Sequence, residues 1–143
     1  MISSLVPLKI LLVDDEAYFR LFVGQVLRIS IACTVVEAKN GQEAVALSQT
    51  VNPDLILLDI YMPLVDGVQA LPQLRALKPA VPIVMLTSVS EEAVVERCVT
   101  FGASYFIRKD VHADQLETEL RNMLRMLFPA RMETDESLRT TSA

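Results

Sequence analysis

The sequence predicts an α/β fold with a doubly wound, five-stranded parallel sheet, and three observations support this prediction. Five short apolar runs alternate with five stretches of helical periodicity, which is the pattern of repeated strand–helix units. The runs are nearly continuous in aliphatic residues, as in strands that helices cover on both faces. Because strand–helix–strand connections are right-handed, the helices must divide between the two faces of the sheet.

The run from Leu55 to Leu58 predicts the strand around which the chain is organised. It ends on Asp59, and Pro63 and Asp66-Gly67 then require a loop before the next helix. The carboxyl end of a central strand is where open α/β sheets bind ligands. An aspartate that only hydrogen-bonds its own loop would give the same local sequence, so this residue alone leaves both interpretations open.

The remaining elements follow from periodicity and from turn residues. We predict strands at residues 8–13, 33–38, 55–59, 82–86 and 104–108, and helices at 17–30, 42–51, 67–77, 91–101 and 113–128. Pro72 lies deep in the third helix and predicts a kink or a late start, whereas Gly102 should end the fourth helix. The second strand is mixed in polarity and belongs at an edge, which gives the strand order 2-1-3-4-5.

Composition limits the class of protein. The chain has 143 residues, of which 52% are hydrophobic and 22% charged, so it can form one domain with its own core. We assign residues 1–128 to that domain and 129–143 to a polar tail or linker. A net charge of -5 argues against nucleic-acid binding, and neither a membrane span nor a signal peptide is recognisable. Cys33 and Cys98 are expected to be reduced thiols of a cytoplasmic protein.

Polar residues follow four of the predicted strands at the same edge of the sheet. They are Asp14 and Asp15, Asp59, Thr87 and Lys109. Three neighbouring carboxylates repel one another, and a divalent cation removes that cost, with Mg²⁺ better suited than zinc to hard oxygen ligands. His112 is the only histidine and should be solvated near a helix start, so the sequence offers no other metal site.

A lysine, a hydroxyl and Mg²⁺ around one carboxylate are what phosphoryl transfer onto that carboxylate requires. The equatorial oxygens of the transferring group must be held and neutralised while the nucleophile stays in line. Each residue also has an ordinary explanation: a helix-capping Asp pair, a turn Thr and a surface Lys. Their joint occurrence at one sheet edge favours the phosphoryl site.

Four motifs at this spacing resemble the receiver domain of two-component response regulators, including the chemotaxis regulators, over about Leu8 to Phe128. The motifs are Val13-Asp14-Asp15, Leu58-Asp59-Ile60-Tyr61-Met62-Pro63 with Asp66-Gly67, Leu86-Thr87-Ser88, and Gly102-Ala103-Ser104-Tyr105-Phe106-Ile107-Arg108-Lys109. The resemblance implies a flavodoxin-like fold and a phosphorelay. The partner would be a sensor histidine kinase or a phosphotransfer protein. The chain would catalyse only its own phosphorylation and dephosphorylation, and so would not be an enzyme.

The resemblance also implies roles for single residues. Asp59 would accept the phosphoryl group, Asp15 and Asp59 would ligate Mg²⁺ directly, Asp14 would act through water, and the main-chain carbonyl of Tyr61 would contribute as well. Lys109 would then pair with the phosphoryl group.

A switch to a binding surface is implied in the same way. Thr87 would hydrogen-bond the phosphoryl group, and Phe106 would be the switch aromatic, with Tyr105 on the opposite strand face. The surface of the fourth helix, fifth strand and last helix would then bind a downstream protein or a second copy of the chain.

Two positions depart from the family pattern. Phe106 lacks the hydroxyl of a tyrosine, so a switch here must act through packing. Asp110 stands where the family usually has proline, and because a cis bond before a non-proline residue costs about 3–4 kcal/mol, we expect the Lys109–Asp110 peptide to be trans.

Three other functions fit the sequence less well. A haloacid-dehalogenase-type phosphohydrolase needs an Asp-x-Asp motif after the first strand, but Asp14 and Asp15 are adjacent. A flavin carrier needs a phosphate-binding loop rich in Ser, Thr and Gly, which is missing at that position. A receiver-like module that works without phosphorylation would have no use for the complete set of acids, Thr87 and Lys109.

Overall fold

The computed structural model describes residues 6–88 and 91–132 and contains one five-stranded parallel sheet. Strands and helices alternate strictly. The strands are β1 (Leu8–Val13), β2 (Cys33–Ala38), β3 (Leu55–Asp59), β4 (Ile83–Thr87) and β5 (Tyr105–Arg108). The helices are α1 (Ala17–Ser30), α2 (Gly41–Val51), α3 (Gly67–Leu77), α4 (Glu92–Thr100) and α5 (Ala113–Leu127). The predicted boundaries agree with these within one residue.

The strand order is β2-β1-β3-β4-β5, as predicted from the polarity of the runs. All pairs are parallel, so every strand ends at the same edge of the sheet. The register places Val13 beside Leu58 and Asp59 beside Leu86. The ends of β1, β3 and β4 therefore lie side by side.

Two apolar clusters cover the two faces of the sheet. Alternate residues of β1 and β3 contribute to opposite clusters: Leu12 and Leu57 belong to one, Leu11 and Leu58 to the other. Every residue of β3 and β4 is buried, which explains their almost uninterrupted apolar sequence. The edge strand β2 is only partly buried, and this accounts for its mixed polarity.

Two of the local possibilities named for the helices do not occur. Asp14 and Asp15 do not cap α1, since its N-cap position is Glu16 and no side chain caps it. Helix α3 does not start late, because it begins at Gly67 and continues through Pro72. Asp66 and Gln69 form a capping box that secures the first turn of α3, and this turn precedes the proline.

The predictions for Gly102, His112 and the Lys109–Asp110 peptide are confirmed. Gly102 has a positive φ of 100° directly after α4, and His112 is exposed at the start of α5. The Lys109–Asp110 peptide is trans, as are all others in the described residues. Cys33 and Cys98 form no disulfide. Among residues 6–88 and 91–132, no helix is long and apolar enough to cross a membrane.

Candidate functional site

Three carboxylates meet where β1 and β3 end. Oxygen atoms of Asp14, Asp15 and Asp59 all lie within 4.8 Å of one another. Asp14 is fully buried and Asp59 is 4% exposed, whereas Asp15 is exposed. The site therefore has two carboxylates in its floor and one at its mouth.

Lys109 closes the site from the end of β5. Its Nζ lies 2.9 Å from Asp14 Oδ2 and 3.4 Å from Asp59 Oδ2, and it donates a hydrogen bond of 3.0 Å to Glu16 Oε1. The ammonium also stands 4.4 Å from the centre of the Phe19 ring, a cation–π contact. With a side chain only 11% exposed, Lys109 is not the surface lysine of the alternative interpretation.

Burial and mutual repulsion disfavour the ionised acids. Burial, followed by the charge of Asp14, raises the pKa of Asp59 to about 7, although Lys109 acts in the opposite direction. Burial likewise raises the pKa of Asp14. Burial alone would lower the pKa of Lys109, but its contacts with Asp14, Asp59 and Glu16 outweigh burial and raise it. The site lacks positive charge even with Lys109 in place.

These residues fit a small divalent cation. Asp14 Oδ2 is buried and, although it forms an ion pair with Lys109, it has no hydrogen bond within the described residues. All donors in the cluster are carboxylate oxygens, which are hard ligands typical of Mg²⁺ or Mn²⁺. A bound cation would satisfy this oxygen and would lower the pKa of Asp59.

The loop after β3 is fixed close to Asp59. Gly67 N donates a hydrogen bond of 2.7 Å to Ile60 O, which closes the loop at its base. A Cβ atom at Gly67 would collide with the carbonyl oxygen of Asp59, so this approach requires glycine. Tyr61 and Leu64 project from the loop with half or more of their surface exposed, and Leu64 has a φ of 66°.

Thr87 and Phe106 occupy different places. Thr87 ends β4, is 2% exposed, and its carbonyl accepts a hydrogen bond of 2.8 Å from Lys109 N, which ties it to the pocket. Phe106 pairs with Met85 and packs, half-buried, against the cluster that contains Cys98. The structure thus brings the three acids, Thr87 and Lys109 together, while Phe106 lies in the neighbouring core beside α4.

Two residues near the pocket were not predicted from the sequence. Glu16 binds Lys109 through its side chain, and its backbone N–H donates a hydrogen bond of 2.9 Å to Asp14 Oδ1. Arg20 is the second, a buried cation on the same face of α1 as Val23 and Leu27. A charged residue at helical spacing within an apolar face was a signal that could have revealed it.

The sequence was compared with models of known families. The model described as "Response regulator receiver domain" matches residues 10–121. The chain belongs to this family. The match includes all three acids, Thr87 and Lys109, so it covers the whole pocket.

Individual proteins of this family are similar to the chain in sequence and in structure. The chain is 37% identical to the chemotaxis protein CheY of Listeria monocytogenes over 109 residues, which cover 76% of this chain and 92% of that protein. The response regulator domain of Thermotoga maritima CheB superposes with a TM-score of 0.74 at 28% identity, covering 89% of this chain and 97% of that one. The Mn²⁺-bound form of the response regulator Rcp1 gives a TM-score of 0.74 at 26% identity, covering 83% and 93%.

Family and geometry together define what the molecule does. It is a phosphoacceptor response regulator of a two-component system: a signalling protein rather than a true enzyme. Receiver domains accept phosphoryl groups from histidine kinases. Its acidic pocket is the place in the structure where a metal ion could be held.

Proposed function

We propose that Asp59 is the phosphoacceptor and that it takes the phosphoryl group from a phosphohistidine of a sensor histidine kinase or phosphotransfer protein. An Asp59 carboxylate oxygen forms a bond to phosphorus while the phosphorus–nitrogen bond breaks. The imidazole leaves with the bonding electrons and is then protonated. The observation that carries the proposal is the position of Asp59: it ends the buried central strand, close to two other acids and 3.4 Å from the Lys109 ammonium.

The surrounding residues supply what this transfer needs. Lys109 is placed to neutralise the charge that builds up on the phosphoryl oxygens, because its ammonium already lies between Asp14 and Asp59. Thr87, at the end of the adjacent strand, would donate its hydroxyl to one of those oxygens. Phosphoryl transfer of this kind depends on positioning and charge neutralisation more than on acid–base chemistry.

Mg²⁺ is the cation that we assign to the acidic pocket. Asp15 and Asp59 would ligate it directly, together with the main-chain carbonyl of Tyr61, and Asp14 would act through water. When bound, the ion lowers the pKa of Asp59 and neutralises phosphoryl oxygens. An all-oxygen set of ligands, with the exposed Asp15 at the mouth of the pocket, supports this choice over a softer metal.

The signal would leave through the surface formed by α4, β5 and α5. Phe106 packs half-buried beside α4, and Val99 and Phe101 are exposed at the C-terminal end of that helix. A phosphoryl group on Asp59 would draw Thr87 inward and change the packing of Phe106. A downstream cytoplasmic protein, or a second copy of this chain, would bind the altered surface.

Treatment with acetyl phosphate and Mg²⁺ tests the assignment. Intact-mass measurement should show one added phosphoryl group that is lost in base, as an acyl phosphate is. Asp59→Asn should remain unmodified, whereas Asp54→Asn, an exposed acid just before the other end of β3, should be modified like the unaltered chain. Phosphorylation of the Asp59→Asn protein at the same rate as the unaltered chain would refute the proposal. Absence of phosphorylation in the unaltered chain would favour a module that works without phosphorylation.

A further inference from the structure

Arg20 is a buried cation whose position in the core has no explanation in packing alone. It lies on the inner face of α1 and is 9% exposed. Removing a guanidinium from water is costly unless the charge is paired and its donors are satisfied. Its contacts therefore indicate what it does.

Those contacts connect the edge strand β2 to the acidic loop, by which we mean the segment after β1 that carries Asp14 and Asp15. Arg20 Nε donates a hydrogen bond of 2.7 Å to Glu37 Oε1, on β2. Arg20 Nη1 donates a second hydrogen bond, also 2.7 Å, to the main-chain carbonyl oxygen of Asp14. Both are short, charge-assisted bonds, and the rigid guanidinium fixes the angle between them.

Arg20 binds the carbonyl oxygen of the peptide unit that links Asp14 to Asp15. Because a peptide unit is planar, fixing the Asp14 oxygen also fixes the direction in which Asp15 leaves the strand. Asp14 is held at two further points: its N–H donates to Ala38 O at 3.1 Å, and its Oδ1 accepts from Glu16 N at 2.9 Å. Asp15, the exposed acid, has no comparable hydrogen bond of its own in the described residues.

We infer that Arg20 is a positioning residue for the cation site, and that Glu37 in turn orients Arg20. This inference rests on the proposed function, in which Asp15 ligates Mg²⁺. Arg20 does not touch the cation; it sets the direction of the peptide that carries two of the three acids. Groups that orient metal ligands in this way typically change metal affinity by about 10- to 100-fold when they are removed.

Charge and geometry predict opposite effects, which makes the inference testable. Arg20 is a cation near a cation site, so if only its charge mattered, its removal would strengthen Mg²⁺ binding. If the guanidinium positions the acids, its removal weakens binding. The Arg20→Lys variant retains the charge but not the planar guanidinium. It should therefore bind Mg²⁺ normally if only charge matters, and more weakly if geometry matters.

The experiment is a Mg²⁺ titration by calorimetry, accompanied by urea unfolding in the absence of metal. Arg20→Met should weaken Mg²⁺ binding by about 10-fold or more, and Arg20→Lys by a similar factor. Glu37→Gln should give a smaller loss, because Arg20 retains its bond to Asp14. Asp15→Asn provides the reference for loss of a ligand.

Arg121→Met is the matched control. Arg121 is also partly buried, but its Nε bonds Ser30 Oγ at the far end of α1, about 20 Å along the helix from the acidic loop. This variant should bind Mg²⁺ like the unaltered chain. If Arg20→Met fails to fold, the lysine and Glu37→Gln variants decide the question.

Three outcomes would overturn the inference. They are unchanged or tighter Mg²⁺ binding in Arg20→Met, full affinity in Arg20→Lys, and an equal loss in Arg121→Met. A loss of affinity that only tracks lost stability would appear in that control as well. Absence of Mg²⁺ binding by the unaltered chain would contradict the metal site itself, and is therefore distinguishable from failure of the positioning role alone.

Discussion

At the scale of single residues, the pocket is arranged for a charge that the protein alone does not supply. Two buried carboxylates and one exposed carboxylate lie around a single ammonium. Burial, followed by the charge of Asp14, raises the pKa of Asp59 to about 7 although Lys109 opposes this shift. The buried Asp14 oxygen without a hydrogen bond is part of the same imbalance. A bound cation should therefore stabilise the folded protein. In the absence of a cation, the free energy of unfolding should depend on pH.

The sign of that dependence follows from the raised pKa of Asp59. Between about pH 4 and 7 the unfolded chain releases a proton that the folded chain retains, so stability falls as pH rises through this range. We expect Asp59→Asn to remove the part of this loss that Asp59 causes, while Asp14, whose pKa burial also raises, keeps its own part. Without divalent cations at pH 8, its free energy of unfolding should exceed that of the unaltered chain by about 1–3 kcal/mol, after allowance for screening by water in the pocket.

Urea unfolding at pH 8 and pH 4, in chelator, measures this difference. The advantage of Asp59→Asn should shrink at pH 4, where Asp59 is protonated in the folded chain. Lys109 retains Asp14 and Glu16 as partners in the variant, so it is not left as an unpaired charge. A variant less stable than the unaltered chain at pH 8 would show that the Asp59–Lys109 attraction outweighs burial.

At the scale of elements, the strands place the acids, and β4 and β5 connect the pocket to α4. Thr87 is bonded through its carbonyl to Lys109 N, and Phe106 pairs with Met85, two residues before Thr87. A movement of Thr87 toward Asp59 therefore affects the strand pair on which Phe106 sits. This connection runs through the backbone pairing of β4 with β5.

We expect phosphorylation to change the amide resonances of residues 91–109. In Thr87→Ala, Asp59 can still accept the group, but the changes over this range should become much smaller, because no hydroxyl draws β4 inward. Ser88→Ala removes the adjacent, exposed hydroxyl and should behave like the unaltered chain. Phosphorylation that leaves residues 91–109 unchanged would contradict the coupling.

The elements also show what sequence can and cannot predict. Buried strands such as β3 are recognisable because burial on both faces requires apolar side chains throughout, and parallel pairing then brings Asp59 and Lys109 to one edge. The bonds of Arg20 to Glu37 and Asp14 were not predictable, since they depend on the packing of α1 against β2. The late start considered for α3 does not occur, because its capping box stabilises the helix start independently of Pro72.

At the scale of the whole molecule, the folded part extends past the last long helix. A short helical segment, residues 129–132, follows α5, and Met132 is 2% exposed within the cluster that includes Leu124. Arg131 also donates a hydrogen bond to Val6 O, just before β1. The predicted division at residue 128 stays a prediction, and residues 133–143 lie outside the described residues.

Replacing Met132 by alanine measures how much the segment after α5 contributes to the stability of the fold. Met132→Ala should lower the free energy of unfolding by about 2–3 kcal/mol, as expected for a buried methionine near the end of a domain. Met126→Ala, at a position 56% exposed on α5, should change it by no more than about 0.5 kcal/mol. Equal effects of the two substitutions in urea unfolding would show that the segment after α5 adds nothing to the core.

The bond between Arg131 and Val6 also determines where attachments leave the molecule. Val6 precedes β1, and parallel strands begin at the edge of the sheet opposite to the one where they end. Both described chain ends therefore lie together on the side away from Asp59. A fluorescent label, an immobilisation tether or a fused module joined directly at Val6 or Met132 would leave the mouth of the pocket open to an incoming phosphodonor.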